Sequence, residues 1–195
     1  MKDVHFGKLI GYGTERRCYE NLDNSQTCLK VSKLSACTQT QREIKYFKLL
    51  TKRGIHPNFL PKFYGSFTLK DQIGFEQEYL RSTDTLRAVT LKQYILEASQ
   101  EQFLKIEYLL ENIKQEMIRF NVIVSDMRTG NTLLLVDNQQ KINRIVFVDG
   151  FGSPEFIPLP IYCPFFGRMK IKRQWKKFMK KYQAEKAFRL EQLRH

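Results

Sequence analysis

Two runs, Ser125-Asp-Met-Arg-Thr-Gly-Asn-Thr-Leu-Leu-Leu-Val136 and Arg144-Ile-Val-Phe-Val-Asp-Gly-Phe-Gly152, decide how the rest of this chain is read. Thr132–Val136 and Arg144–Val148 are apolar, strand-forming runs separated by turn residues beginning Asp137-Asn-Gln-Gln, so they read as a β-hairpin. Asp126 and Asn131 then lie on the loop entering the hairpin, five positions apart, and Asp149 closes its second strand. A carboxylate and an amide oxygen at one end of a hairpin are hard ligands suited to Mg²⁺. A second carboxylate beside them can accept a proton. Taken singly, each residue could equally satisfy a turn or terminate a strand.

Upstream, Val4–Ile10, Arg16–Asn21 and Thr27–Ser32 read as strands, with Gly11-Tyr-Gly13 joining the first two. A helix follows over Thr40–Leu50, with Ile44, Phe47 and Leu50 at helical spacing. Phe63–Leu69 and Ile73–Leu80 return to strand character, which makes the N-terminal third β-β-β-α-β-β. After Asp84 the pattern is helical: a short piece from Leu91, then a long helix over Ser99–Phe120. Ser99 is the expected N-cap, with Gln102 three residues on.

The order of the polar residues carries more than any one of them. A glycine turn (Gly11, Gly13), a strand lysine (Lys30) and a helix glutamate (Glu43) precede the Asp126–Asn131 loop and the strand-terminal Asp149-Gly. This series resembles the ATP site of the protein-kinase-like superfamily. On that resemblance Gly11 and Gly13 let backbone approach phosphate, while Lys30 neutralises phosphate oxygens and is fixed by Glu43. Asp126 orients the attacking hydroxyl, Arg128 keeps positive charge near the transferred group, and Asn131 and Asp149 hold Mg²⁺. The implied cofactors are ATP and Mg²⁺.

A narrower resemblance covers nearly the whole chain. Gly11-Tyr-Gly-Thr-Glu-Arg-Arg-Cys-Tyr-Glu20, Cys28-Leu-Lys-Val31, Arg42-Glu-Ile-Lys-Tyr46 and Pro61-Lys-Phe-Tyr-Gly65 are similar to segments of the YrbL family of PhoP regulatory network proteins. Asn131-Thr-Leu-Leu, Pro158-Leu-Pro and Arg173-Gln-Trp-Lys-Lys-Phe178 extend the likeness toward the C-terminus. The implied fold is α+β and two-lobed, with a five-stranded N-lobe sheet over about 1–82 and a shortened, mainly helical C-lobe over about 83–164.

Departures from a working protein kinase narrow the expected reaction. Val124-Ser125 replaces the usual His-Arg, and Gly130 precedes Asn131. Only 43 residues follow Gly152, too few for a full activation segment and peptide-docking helices, so Ser153-Pro-Glu155 is read as a chance likeness to Ala-Pro-Glu. The leading expectation is phosphoryl transfer to a hydroxyl of a non-protein acceptor, such as a glycan or lipid-linked sugar. The alternatives are a nucleotide-binding pseudokinase, or a basic scaffold for membrane or nucleic acid.

Composition bounds these readings. The chain has 195 residues, 42% hydrophobic and 13% aromatic, enough for a core without disulfide or metal. The cysteines show no metal-ligand spacing, and no apolar run approaches a membrane span, so a cytoplasmic chain with reduced thiols is expected. Of the net charge of +13, residues 165–195 contribute eleven Lys or Arg against two Glu. Within that tail Ile171, Trp175, Phe178 and Tyr182 recur at helical spacing, giving a basic amphipathic helix over 165–195. Its aromatic face is expected to pack on the C-lobe. Its lysines would face an anionic membrane or lipopolysaccharide surface at the inner membrane. A nucleic-acid partner is not expected, since no binding motif accompanies the charge.

Overall fold

Strands β1 (Phe6–Tyr12), β2 (Arg16–Asn21), β3 (Thr27–Lys33), β4 (Phe63–Thr68) and β5 (Gln72–Glu78) form one antiparallel sheet in the order β1-β2-β3-β5-β4. The computed structural model describes residues 4–155 and 157–193. β3 is central and buried at six of its seven positions, which suits its β-branched and apolar content. Register places Cys18 opposite Lys30 and Lys30 opposite Phe75, so the three share a face, which Arg16 and Ser32 also share by alternation. Helix α1 (Thr38–Lys52) covers that face: the Ser32 and Thr40 hydroxyls lie 2.7 Å apart, and Phe47 stacks on Phe63 at 5.1 Å.

The chain divides into two compact units, Met1–His56 with Pro61–Tyr79, and Pro57–Leu60 with Leu80–His195. The sheet and α1 make up the first. The second contains a three-stranded sheet, β6 (Leu86–Thr90), β7 (Thr132–Asp137) and β8 (Ile142–Phe147), and helices α2 (Leu91–Glu97), α3 (Gln100–Phe120), α4 (Leu159–Tyr162) and α5 (Pro164–Gln192). β7 is the middle strand, paired with β6 from Leu86↔Asp137 to Thr90↔Leu133. The sequence reading missed β6, because its five residues run straight into α2.

Ser99 caps α3 as expected: its hydroxyl accepts the Gln102 backbone N–H, and the Gln102 side-chain Oε1 accepts the Ser99 N–H. Asn121 ends the helix at φ 53, and its amide donates to the Pro160 carbonyl at 2.9 Å, fixing the approach to α5. Gly167 of α5 lies so close to Asn121 that an added Cβ would fall 1.7 Å from its Oδ1. The buried stripe of α5 contains Ile171, Trp175, Phe178 and Tyr182, with Phe178 edge-on to Phe147 of β8 at 5.9 Å. The aromatic face of the tail is therefore part of the second unit's core. No helix among the described residues is long and apolar enough to cross a membrane.

Candidate functional site

The first unit carries the glycine turn, Lys30 and Glu43. Gly11 is not in the turn but inside β1, paired with Cys18; the turn starts at Gly13, whose N–H donates to the Arg16 carbonyl at 2.7 Å. Neither glycine is forced by crowding within the protein, because a Cβ at either would make only ordinary contacts. Glu15 of the same turn accepts the Gln39 and Thr40 N–H groups at 2.8 and 3.3 Å. α1 has no side-chain cap of its own and no acid in its first turn, so Glu15 supplies both charge and acceptor there. The turn is thereby tied to the helix that carries Glu43.

Glu43 is fully buried, and the Arg16 guanidinium donates to both of its oxygens, at 2.7 and 3.4 Å. Gln39 donates to the same carboxylate at 3.3 Å. Arg16 and Lys30 both lie over the Phe75 ring, 5.7 and 6.0 Å from its centroid. Arg16 is thus a second cation at the position where the sequence suggested Lys30 alone. On the same face, Cys28 lies diagonally from Cys18 across the β2–β3 ladder. Its interaction with Cys18, with burial adding, pushes the Cys28 thiol well above the ordinary range. All four cysteines are free thiols.

The second unit brings Asp126, Arg128, Asn131 and the Asp149 segment together. Arg128 Nε donates to Asp126 Oδ1 at 2.5 Å, and the Asn131 amide donates to Asp126 Oδ2 at 3.0 Å. One residue therefore holds each carboxylate oxygen. The loop is braced from below by backbone: Ser125 N–H donates to the Gly150 carbonyl at 2.7 Å, Gly152 N–H to Ile123 at 3.0 Å, and Val148 N–H to Asn131 at 3.0 Å. Gly150 has φ 77, and a Cβ there would lie 2.4 Å from the Asp126 Cβ. Glycine is required at that point by both conformation and space. Asp149 is half-buried, and its Oδ1 accepts the Gly150 N–H at 3.0 Å.

Two supports were not legible as part of the site. The buried Thr129 hydroxyl donates to Glu185 of α5 at 3.1 Å, tying the Asp126 loop to the tail helix. Buried Lys170 of α5 donates to Ser153 Oγ at 2.8 Å and to both oxygens of Glu155. Ser153-Pro-Glu155, read from sequence as a chance likeness, is thus an anchor between the Asp149 segment and α5. Burial opposes the charged form of Glu155. The hydrogen bonds and charge of Lys170, with Arg173 adding, outweigh it and hold the carboxyl below its ordinary value.

No cluster of three His, Cys, Asp or Glu suited to a metal occurs among the described residues. Mg²⁺ at a nucleotide site needs only one or two protein carboxylates or amides beside the phosphates. The Asn131 and Asp149 oxygens, held on one hairpin, fit that requirement.

Comparison with known proteins identifies the family and the fold. A profile of the family described as "PhoP regulatory network protein YrbL" matches residues 4–183. The YrbL proteins of Escherichia coli (strain K12) and Shigella flexneri are each 21% identical over 174 residues, spanning 87% of this chain and 82% of theirs. Among solved structures, a double mutant of the Mycobacterium tuberculosis PknI kinase domain superposes with TM-score 0.52 at 11% identity. A single mutant of that domain gives 0.51 at 13%. Each superposition covers 75% of this chain and 58% of the kinase chain, so the chain spans under two thirds of that length. The chain belongs to the YrbL family of PhoP regulatory network proteins, and its fold is kinase-like.

Proposed function

We propose that this member of the YrbL family is an ATP- and Mg²⁺-dependent phosphotransferase acting on a hydroxyl of a non-protein acceptor. The observation that carries the reading is the Asp126 carboxylate, fixed by Arg128 and Asn131 and pressed against Gly150. A carboxylate immobilised through both oxygens is oriented for one proton or one hydroxyl. Bound Mg²⁺-ATP would supply the electrophilic phosphoryl group and the charge that stabilises its transfer. Asn131 and Asp149 would hold the cation, and Lys30 would meet phosphate oxygens. Arg128, exposed and bonded to Asp126, would face the acceptor and the transferred group. The glycine turn, tied to α1 through Glu15, would lay backbone N–H groups along phosphate.

The pseudokinase reading is favoured by one observation, the engagement of Glu43 by Arg16. A guanidinium on that carboxylate competes with Lys30 for Glu43. Labelled ATP incubated with the purified protein and a metabolite extract separates the two. Transfer of label to a small acceptor, lost in Asp126→Ala, supports the phosphotransferase. Saturable nucleotide binding with no label transferred supports the pseudokinase.

A further inference from the structure

The surface of α4 and α5 has an unexpected composition. The tail's aromatic residues divide between core and solvent along one helix. Trp175, Phe178 and Tyr182 are buried, whereas Phe165, Phe166 and Met169 are 66%, 45% and 57% exposed. Tyr162 at the end of α4 adds another ring at 64% exposure. The Phe165 and Phe166 rings contact each other at 5.4 Å, forming an apolar tip at the start of α5. Burial of these side chains within the chain does not explain their size.

The cations continue from that tip. Between Arg168 and Lys181 there are eight Lys or Arg and no acid. Lys170 is consumed by Glu155, but Arg168, Lys172, Arg173, Lys176, Lys177, Lys180 and Lys181 are all exposed. At helical spacing, Phe165, Met169, Lys172, Lys176 and Lys180 lie opposite the buried stripe. One solvent face thus presents aromatic and thioether side chains at its N-terminal end and dense positive charge along the rest.

We propose that this face of α5, with the Tyr162 end of α4, docks on the surface of an anionic phospholipid bilayer. The cations would meet headgroup phosphates while Phe165, Phe166 and Met169 enter the boundary between headgroups and acyl chains. Positive charge selects a polyanion, and the apolar tip selects one with an apolar layer beneath its charge. A second copy of the chain fits poorly, because self-association through this face would set like charges against each other. The inference stands apart from the phosphotransferase reading, since it uses no residue of that site.

Flotation of the full chain with phosphatidylcholine vesicles, and with mixed phosphatidylcholine and phosphatidylglycerol vesicles, tests it over a salt series. The wild-type chain is expected to float with the anionic vesicles only, and less as salt rises. Lys172→Gln, Arg173→Gln, Lys176→Gln and Lys180→Gln together should weaken partition on the order of a hundredfold or more, at about fivefold per cation. Phe165→Ser, Phe166→Ser and Met169→Ser together should weaken it on the order of tenfold or more. Every substituted side chain is exposed, and emission from buried Trp175 should match wild type in both variants. Failure of the wild type to float with anionic vesicles overturns the proposal without reference to any variant. So does flotation undiminished by loss of the aromatic tip. Retention on nucleic acid without vesicle binding, or a dimer broken by the tip variant, would assign the face to another partner and equally overturn it.

Discussion

Phe178→Ala is the sharpest test of how the tail helix supports the rest of the second unit. Phe178 is 2% exposed, lies edge-on to Phe147 at 5.9 Å and contacts Trp175 at 5.5 Å. Truncation removes nearly the whole buried ring and leaves a cavity between α5 and β8, costing about 3–5 kcal/mol. For a chain of this length each kcal/mol moves the melting temperature by roughly 2–4 °C, so a drop of roughly 6–20 °C is expected. Phe178→Leu keeps most of the volume and should cost about 1.5 kcal/mol. Phe165→Ala is the internal control: the same residue type in the same helix, but 66% exposed, should leave the melt unchanged. Differential scanning calorimetry of the three variants measures all of this. Phe147 also lies two residues before Asp149, so Phe178→Ala should weaken Mg²⁺-nucleotide binding in the fraction that remains folded. If Phe178→Ala and Phe165→Ala melt together, α5 is not packed as described and the reasoning fails.

Four other expectations follow from the site and its supports. Asp149→Ala should weaken Mg²⁺-ATP binding, whereas Asp126→Ala should leave binding nearly intact and abolish transfer; full activity retained in both variants would refute the assignment. Gly150→Ala should destabilise the protein by up to about 3 kcal/mol, read by chemical denaturation, since φ 77 and the 2.4 Å approach to Asp126 both oppose a Cβ. Thr129→Val removes the hydrogen bond to Glu185 and should cost about 1 kcal/mol, with a larger loss in transfer than in nucleotide affinity if α5 positions the Asp126 loop. Glu155 has a depressed pKa in the folded protein, so its contribution to stability is present above the ordinary carboxylate value of 4.5 and is lost as pH falls through the folded value. Lys170→Met should therefore narrow the gap to wild type in acid, measured by melting over a pH series.

The strands and helices were legible where local chemistry and periodicity agree. Ser99 and Gln102 announced the start of α3, and the apolar residues around Asp137-Asn-Gln-Gln announced the β7–β8 hairpin. β6 was not legible because Leu86–Thr90 is short and its stability comes from pairing with β7, more than forty residues away. Asp126, Asn131 and Asp149 could be placed at one end of a hairpin from spacing alone. Arg16 could not be placed on Glu43, since that contact depends on β2–β3 register and on how α1 lies across the sheet. The role of Glu15 at the start of α1 is hidden for the same reason, with no acid in the helix itself to suggest it. In α5 the limit is different. Phe165 and Phe178 both fit a helical apolar pattern, and only tertiary packing makes one solvent-exposed and the other core. The anchoring role of Ser153-Pro-Glu155 was not legible because its partner, Lys170, lies on a helix that looked merely basic.

Titration calorimetry of the purified chain with ATP, in the presence and absence of Mg²⁺, tests the nucleotide site most directly. Saturable binding that strengthens with Mg²⁺ and is weakened by Asp149→Ala is the expected result. No heat of binding under either condition, from a chain shown to be folded, would contradict it.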